Sequence, residues 1–138
     1  MGKRFDSLVF PGGKSRAFTL SYDDGVVQDR RLAEIFRKRG LKCTFNIGSG
    51  LFGHKDGGNF PGRPPLDLSK LSAEEAKTVY AGHEIAGHSL FHSDLSGVGT
   101  PLAMYEVVED KRRLEELTRK PLKMFAYPFG THNADTRE

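Results

Sequence analysis

Two short groups of polar residues carry the chemistry that this sequence can support. Asp23-Asp24-Gly25 closes an apolar run, and His88 and His92 flank Ser-Leu-Phe further along the chain. One aspartate of such a pair can bind a metal ion while its neighbour takes a proton from an attacking water. Two histidines four residues apart can supply two further ligands, and a set of three protein ligands leaves coordination positions open, as a hydrolytic site requires.

Each group is weak evidence by itself. Asp-Asp-Gly is common in turns, and two histidines at this spacing also occur on surfaces without binding anything. Both groups follow predicted strands, however, and the carboxyl ends of parallel strands meet at one edge of a sheet. We therefore predict that Asp23-Asp24 and the histidine pair form one site.

The elements that must position these residues alternate between strand and helix. The hydrophobic pattern predicts strands over 17–21, 42–47, 84–86 and 124–127, and helices over 28–39, 72–81 and from 100 onward. Ser72-Ala-Glu-Glu75 matches a capping box, and Thr100 before Pro101 reads as an N-cap followed by proline at the first helical position. This alternation predicts an α/β fold with a parallel sheet or a (β/α) barrel.

Two further segments carry predictions of their own. Residues 48–70 are rich in glycine and proline and are expected to form an irregular insertion. The last helix is expected to bury the side on which five apolar residues recur, namely Leu102, Tyr105, Val108, Leu114 and Leu117.

Length and composition are those of one globular domain. The chain has 138 residues, of which 37% are hydrophobic and 28% charged, with a formal net charge of +3. The basic clusters have no interleaved aromatic residues and no nucleotide-binding glycine motif is present, so we expect no nucleic-acid partner. The single cysteine, Cys43, excludes an intrachain disulfide.

No stretch of the sequence approaches a membrane span, so we expect no membrane partner. No export signal is recognisable at the start of the sequence as written. On that basis the expected location is the cytoplasm, with an extracellular location open if a leader has been removed.

Three motifs resemble those of the polysaccharide deacetylases, the NodB-homology carbohydrate esterases of family 4. Phe18-Thr-Leu-Ser-Tyr-Asp-Asp-Gly25 resembles the first motif, usually Thr-Phe-Asp-Asp-Gly. His88-Ser-Leu-Phe-His92 fits the second, His-Ser/Thr-x-x-His, and Phe125-Ala-Tyr-Pro-Phe-Gly130 resembles the third, usually Arg-x-Pro-Tyr. The resemblance runs from about Arg16 onward and implies a (β/α) barrel of the polysaccharide deacetylase type, present here only in part.

The resemblance implies a role for each residue of the first two motifs. Asp23 is implied to be the general base. Asp24, His88 and His92 are implied to bind a divalent metal ion, in this family most commonly zinc, with cobalt, nickel or manganese as alternatives.

The third motif and the residue after the first histidine receive supporting roles by the same resemblance. Tyr127, Pro128 and Phe129 are implied to contact the substrate, and the backbone N–H of Phe129 to complete an oxyanion hole. Ser89 is implied to brace the loop between the two histidines by a hydrogen bond.

Two departures from the family pattern are visible. Ala126 stands where the family has an arginine that orients the base. The fourth and fifth motifs, the fifth of which brings the histidine that protonates the leaving amine, would lie beyond Glu138, and His132 does not correspond to that histidine. We therefore interpret residues 1–138 as an N-terminal portion of the catalytic domain, apparently truncated at its C-terminus, with residues 1–15 as a leader segment.

The leading hypothesis is metal-dependent hydrolysis of the C–N or ester bond of an N- or O-acetylated carbohydrate. One alternative is a metal- or carbohydrate-binding module without turnover, which the missing acid and Ala126 favour. Another is a hydrolase of a different small amide on the same fold. An incomplete barrel would also leave an open strand edge, which predicts self-association.

Overall fold

The computed structural model describes residues 9–134, and a three-stranded parallel sheet lies at its centre. The elements follow in the order β1 (Ser21–Asp23), α1 (Asp29–Lys38), β2 (Thr44–Ile47), β3 (Gly57–Gly58), β4 (Leu66–Asp67), α2 (Ala73–Val79), β5 (Glu84–Gly87) and α3 (Thr100–Thr118). β1, β2 and β5 are neighbours in that order, and both pairs are parallel. The predicted α/β class is confirmed.

The first strand lies further along the chain than predicted. The expectation over 17–21 is wrong in its bounds, because pairing with β2 begins only where Ser21 lies opposite Thr44. Phe18 is 79% exposed. The strand consequently ends at Asp23, and Asp24 is the first residue of the turn that follows.

The chain returns to the sheet beside β5 without forming a full fourth strand. A single parallel bridge joins Gly87 to Phe125. Around it the Gly87 N–H donates to the Met124 carbonyl (3.1 Å), and the Ala126 N–H donates to the Gly87 carbonyl (2.9 Å). The strand predicted over 124–127 is therefore reduced to one bridge, and residues 9–134 form an open sheet and not a closed barrel.

The helix starts follow the predicted capping signals in part. At α2 the Glu75 N–H donates to Ser72 Oγ (3.2 Å) and the Ser72 N–H donates to Glu75 Oε2 (3.1 Å), which confirms the capping box. At α3 the N-cap is Gly99 and not Thr100, so that Pro101 is the second helical residue. Within residues 9–134 no helix has the length and hydropathy to cross a membrane.

The predicted buried side of α3 is confirmed at Leu114, which is fully buried, and at Leu117, which packs against the core, but it is wrong for the first half of the helix. Leu102, Tyr105 and Val108 are exposed at 49%, 51% and 61%. The helix instead turns two carboxylates inward, and its buried residues are Ala103, Glu106, Asp110 and Leu114. The apolar periodicity did not predict the burial of these acidic side chains, because they are buried by accepting hydrogen bonds from a loop, as described below.

The hydrophobic core lies between the sheet and the helices. Phe45 and Ile47 of β2 are fully buried and pack with Leu71, Tyr80 and Leu114. Residues 48–70 are less irregular than predicted, because they contain a 3-10 turn at Ser49–Leu51 and the antiparallel pair β3–β4. Of the predicted leader segment, residues 1–15, the structure describes residues 9–15.

Candidate metal centre

Three side chains converge at the carboxyl edge of the sheet. Asp24, immediately after β1, and His88 and His92, after β5, each present a ligand atom, and these atoms lie within 4.8 Å of one another. Asp24 Oδ1 is 3.3 Å from His92 Nε2, and the two imidazole rings have centroids 4.8 Å apart. The structure therefore brings the three predicted ligands together.

The backbone reaches this arrangement through left-handed turns. Asp24, Ser89 and His92 have φ values of 79°, 59° and 56°. Residues other than glycine rarely adopt this left-handed backbone conformation, which costs on the order of 1–3 kcal/mol for each residue. Residues in such conformations cluster at functional sites. Two of the three are proposed ligands, so the strain coincides with the residues that aim side chains at the site.

The orientation of His88 is set by the third motif. His88 is only 2% exposed, and its Nδ1 lies 2.9 Å from the Ala126 carbonyl oxygen. Because a carbonyl oxygen can only accept, Nδ1 carries a proton, so that in the neutral ring the lone pair is on Nε2. A lone pair on Nε2 is what a metal ion requires of a histidine ligand.

The surroundings of His92 favour the neutral form of its imidazole. Burial lowers its pKa, and the nearby carboxylate of Asp24 opposes that shift without reversing it. The ring of Phe129 packs against it with centroids 4.6 Å apart. The neutral form that burial favours is also the form in which an imidazole binds a metal ion.

The donor set suits a transition-metal ion. Two imidazole nitrogens and one carboxylate oxygen are common ligands of zinc and of the neighbouring divalent ions, whereas magnesium and calcium prefer oxygen throughout. The preset tautomer of His88 fits the same interpretation. Asp24, His88 and His92 are therefore the residues that would hold the ion.

Asp23 lies beside this cluster and has a different neighbour. Its Oδ1 accepts a hydrogen bond of 2.6 Å from Asn46 Nδ2, which also donates to Ser21 Oγ (2.8 Å). Asn46 is only 4% exposed, and the sheet register places it opposite Asp23. The carboxylate of Asp23 is thus oriented from the neighbouring strand.

Comparison with protein families identifies the chain. The profile of the polysaccharide deacetylase family matches residues 11–138. The chain belongs to the polysaccharide deacetylase family. Comparison with curated protein sequences gave no match.

Solved structures of low sequence identity share the fold of this polysaccharide deacetylase chain. The Streptococcus pyogenes deacetylase PplD in complex with acetate is 22% identical, with a TM-score of 0.75 over 92% of this chain and 51% of that one. A family 4 carbohydrate esterase from Streptomyces lividans in complex with acetate is 20% identical, with a TM-score of 0.63 over 86% of this chain and 54% of that one.

A third similar structure is a family 4 pseudoenzyme from Bacillus anthracis. It is 20% identical, with a TM-score of 0.62 over 86% of this chain and 38% of that one. At these identities the likeness shows the fold alone. The chain spans about half of the length of PplD and less of the pseudoenzyme.

The third motif of this family member forms a tight turn next to the histidines. Pro128–Gly130 is a 3-10 turn in which Phe129 has φ 59° and a side chain 69% exposed. Thr131 Oγ1 donates to Asp94 Oδ1 (2.6 Å), which ties the turn to the segment after His92. The turn therefore lies where the family resemblance expects substrate contacts, and the roles of Tyr127, Pro128 and Phe129 stay predictions.

Other histidines lie apart from the cluster. His132 stacks near Tyr127, with ring centroids 5.7 Å apart, and is not one of the three grouped ligands. His83 precedes β5, at the opposite end of the strand from His88, and packs edge-on against Phe45. Neither supplies a ligand in this arrangement.

Several residues of the site were not predicted from the sequence. Lys70 lies with its Nζ 3.7 Å from Asp24 Oδ1 and a side chain only 12% exposed. An antiparallel bridge to Val26 places it there. The site is also supported by Asn46, Glu106 and Asp110. Strand register is the one signal by which Asn46 could have been predicted.

Proposed function

We propose that this chain is the metal-binding portion of a deacetylase that hydrolyses N- or O-acetylated carbohydrate. The observation that carries the proposal is the convergence of Asp24, His88 and His92 beside the oriented carboxylate of Asp23. Membership of the polysaccharide deacetylase family supports the reaction class. Zinc is the proposed ion, with cobalt, nickel and manganese as alternatives.

When bound, a divalent ion at this site supplies Lewis acidity toward the acetyl carbonyl and lowers the pKa of a water. Asp23 is proposed to receive the proton that the attacking water loses. Its hydrogen bond from Asn46 fixes one carboxylate oxygen and leaves the other to act.

The turn of the third motif has a separate task in this proposal. The Phe129 backbone N–H is proposed to donate to the oxygen of the acetyl group as negative charge develops there. Donors of this kind are worth about 3 kcal/mol of transition-state stabilisation. The exposed ring of Phe129, which packs on His92, offers an apolar surface beside the reacting group.

The second candidate is the metal-binding form of a metal- or carbohydrate-binding module without turnover. Ala126 offers no side-chain charge near the base, and one fold neighbour is described as a pseudoenzyme. The two candidates agree on metal binding and differ only in acetate release.

Zinc stoichiometry and acetate release test the proposal together. We expect about one zinc ion per chain by elemental analysis, lost in His92→Ala and kept in His132→Ala, which removes a histidine outside the cluster. Acetate release from acetylated sugar oligomers that is lost in Asp23→Asn supports the enzyme. Zinc binding without release supports the binding module, and a wild-type chain that binds none of zinc, cobalt, nickel and manganese overturns both.

A further inference from the structure

A buried carboxylate of α3 holds the backbone of the first histidine ligand. Asp110 has no solvent exposure, and its Oδ2 accepts a hydrogen bond of 3.1 Å from the His88 N–H. Its Oδ1 accepts two more, both of 2.7 Å, from the N–H and the Oγ of Ser49. One carboxylate thus joins the end of β5 to the segment that follows β2.

A second carboxylate, one helical turn earlier, holds the rest of the histidine loop, which we define as residues 88–93. Glu106 is 3% exposed, and its Oε2 accepts from the Phe91 N–H (2.9 Å). Its Oε1 accepts from Ser93 Oγ (2.9 Å), and its carbonyl oxygen accepts from the Leu90 N–H (3.1 Å). Glu106 and Asp110, four residues apart on α3, therefore contact the later part and the beginning of the histidine loop.

The histidine loop is also enclosed from the opposite side. A Cβ atom added at Gly48 would lie 2.5 Å from the Ser89 carbonyl oxygen, and one at Gly50 would lie 2.6 Å from that of Leu90. The Gly50 N–H donates to the same Leu90 oxygen (2.9 Å). Only glycine permits this approach, so the loop is fixed between α3 and the segment after β2.

Folding stability does not explain two carboxylates in this position. Within residues 9–134 neither Glu106 nor Asp110 forms a salt bridge with a lysine or arginine. Burying a carboxylate is costly, and apolar residues of similar size commonly stabilise a protein better. What these two side chains do provide is five acceptor contacts, of which three are made to the histidine loop.

We infer that Asp110 and Glu106 are positioning residues that hold His88 and His92 in ligating geometry before any metal binds. The inference rests on the proposed metal site and assigns to α3 the task of preorganising it. Groups that orient metal ligands in this way typically change metal affinity about 10- to 100-fold when they are replaced.

The hydrogen-bond chemistry predicts opposite outcomes for two isosteric substitutions. Asp110→Asn places an NH₂ group against either the His88 N–H or the two donors of Ser49, and a backbone N–H cannot reverse its role. Glu106→Gln can still accept from the Phe91 N–H and donate to Ser93 Oγ, because a hydroxyl can accept. The first substitution must break a backbone hydrogen bond of Asp110, to His88 or to Ser49, whichever way the amide is turned, whereas the second leaves the bonds of Glu106 intact.

Zinc titration calorimetry and amide hydrogen exchange of the metal-free chain test the inference. We expect Asp110→Asn to weaken zinc binding about 10- to 100-fold and to speed exchange of the His88 N–H, with Glu106→Gln near the wild type. Ser49→Ala is the matched control, because it removes a donor to the other oxygen of Asp110 and leaves the His88 bond. If Asp110→Asn does not fold, Glu106→Ala is compared with Glu106→Gln. Their zinc affinities and the exchange rate of the Phe91 N–H then test the same inference.

The outcomes separate this inference from the proposed function. Zinc binding by the wild type with equal affinity in Asp110→Asn, or in Glu106→Ala if the former does not fold, overturns the inference alone. Absence of binding of zinc, cobalt, nickel and manganese in the wild type overturns the proposed function, and the exchange rates of the His88 and Phe91 amides then decide the inference. Fast exchange at both amides in the metal-free wild type overturns it, whereas protection lost on substitution supports it.

Discussion

Asn46 donates a hydrogen bond of 2.6 Å to Asp23, so a neutral amide from β2 orients the proposed base. The family resemblance assigns that task to an arginine of the third motif, and this chain has Ala126 there. Parallel pairing of β1 with β2 places Asn46 directly opposite Asp23. In this chain the orientation of the base therefore comes from the sheet.

Asn46→Ala is the first prediction. The substitution leaves Asp23 without its donor, so we expect acetate release to fall about tenfold, because misplacing a reacting group by a fraction of an ångström already slows catalysis. Zinc stoichiometry should not change, since Asn46 is not a proposed ligand. Thr44→Val, on the same strand, is the control and should retain activity. A full rate in Asn46→Ala would contradict the assignment.

Lys70→Met is expected to tighten zinc binding. The ammonium group lies 3.7 Å from Asp24 Oδ1 and competes electrostatically with a dication for that carboxylate. Because Asp24 is partly exposed and the interaction is screened, we expect about a fivefold lower zinc dissociation constant, or about 1 kcal/mol. Titration calorimetry measures it, with Lys77→Met, which removes the lysine paired with Glu74, as control. Weaker binding would show instead that Lys70 supports the geometry of Asp24.

Asp29 makes the stability of the chain depend on pH. Burial raises the pKa of Asp29 from the ordinary 3.8 to about 6, against the opposing hydrogen bond of 2.6 Å from Tyr80 Oη. The folded state therefore favours the protonated form, and this stabilisation is full below pH 3.8 and lost as the pH rises to about 6. Asp29→Asn keeps an acceptor for Tyr80 and cannot ionise. Its free energy of unfolding relative to that of the wild type should therefore rise by about 3 kcal/mol from pH 4 to pH 7.

Urea unfolding without metal, at both ends of that pH range, measures the difference in unfolding free energy. Glu34→Gln is the control, because the hydrogen bond from Lys38 lowers the pKa of Glu34, so its trend with pH has the opposite sign. A pH-independent difference between Asp29→Asn and the wild type would contradict the prediction.

Self-association through the sheet edge is the fourth prediction. Among the described residues β1 pairs only with β2, so one side of the strand carries unpaired backbone groups. We expect a concentration-dependent dimer by size-exclusion chromatography with light scattering. Phe18→Lys places a charge just before this edge and should weaken the dimer, whereas Val108→Lys on the exposed side of α3 should not. A monomer at high concentration would rule out pairing at this edge.

The pattern of the chain alone was enough to predict where the candidate metal ligands meet. Parallel strands end at a common edge, so residues directly after two such strands must approach one another. Asp24, His88 and His92 satisfy that rule, and the structure places their donor atoms within 4.8 Å. The capping box at Ser72 and Glu75 was equally predictable, because it depends on neighbours three residues apart.

The features that the sequence pattern predicted wrongly are those that depend on contacts between distant segments. The bounds of β1 follow from its pairing with β2, and the fourth strand is only a bridge at Phe125. The burial of Glu106 and Asp110 on α3 could not be predicted from apolar periodicity, because these residues are buried by accepting hydrogen bonds from a loop.

The sequence by itself determined the fold class, which rests on strand order, and through the resemblance of its motifs the family and the three candidate ligands. Only the tertiary structure decided what supports them. Asn46 reaches Asp23 through strand register, Lys70 reaches Asp24 through a bridge at the end of the insertion, and Asp110 reaches His88 across the sheet edge. These contacts join residues far apart in the chain, so their distances exist only once the chain has folded.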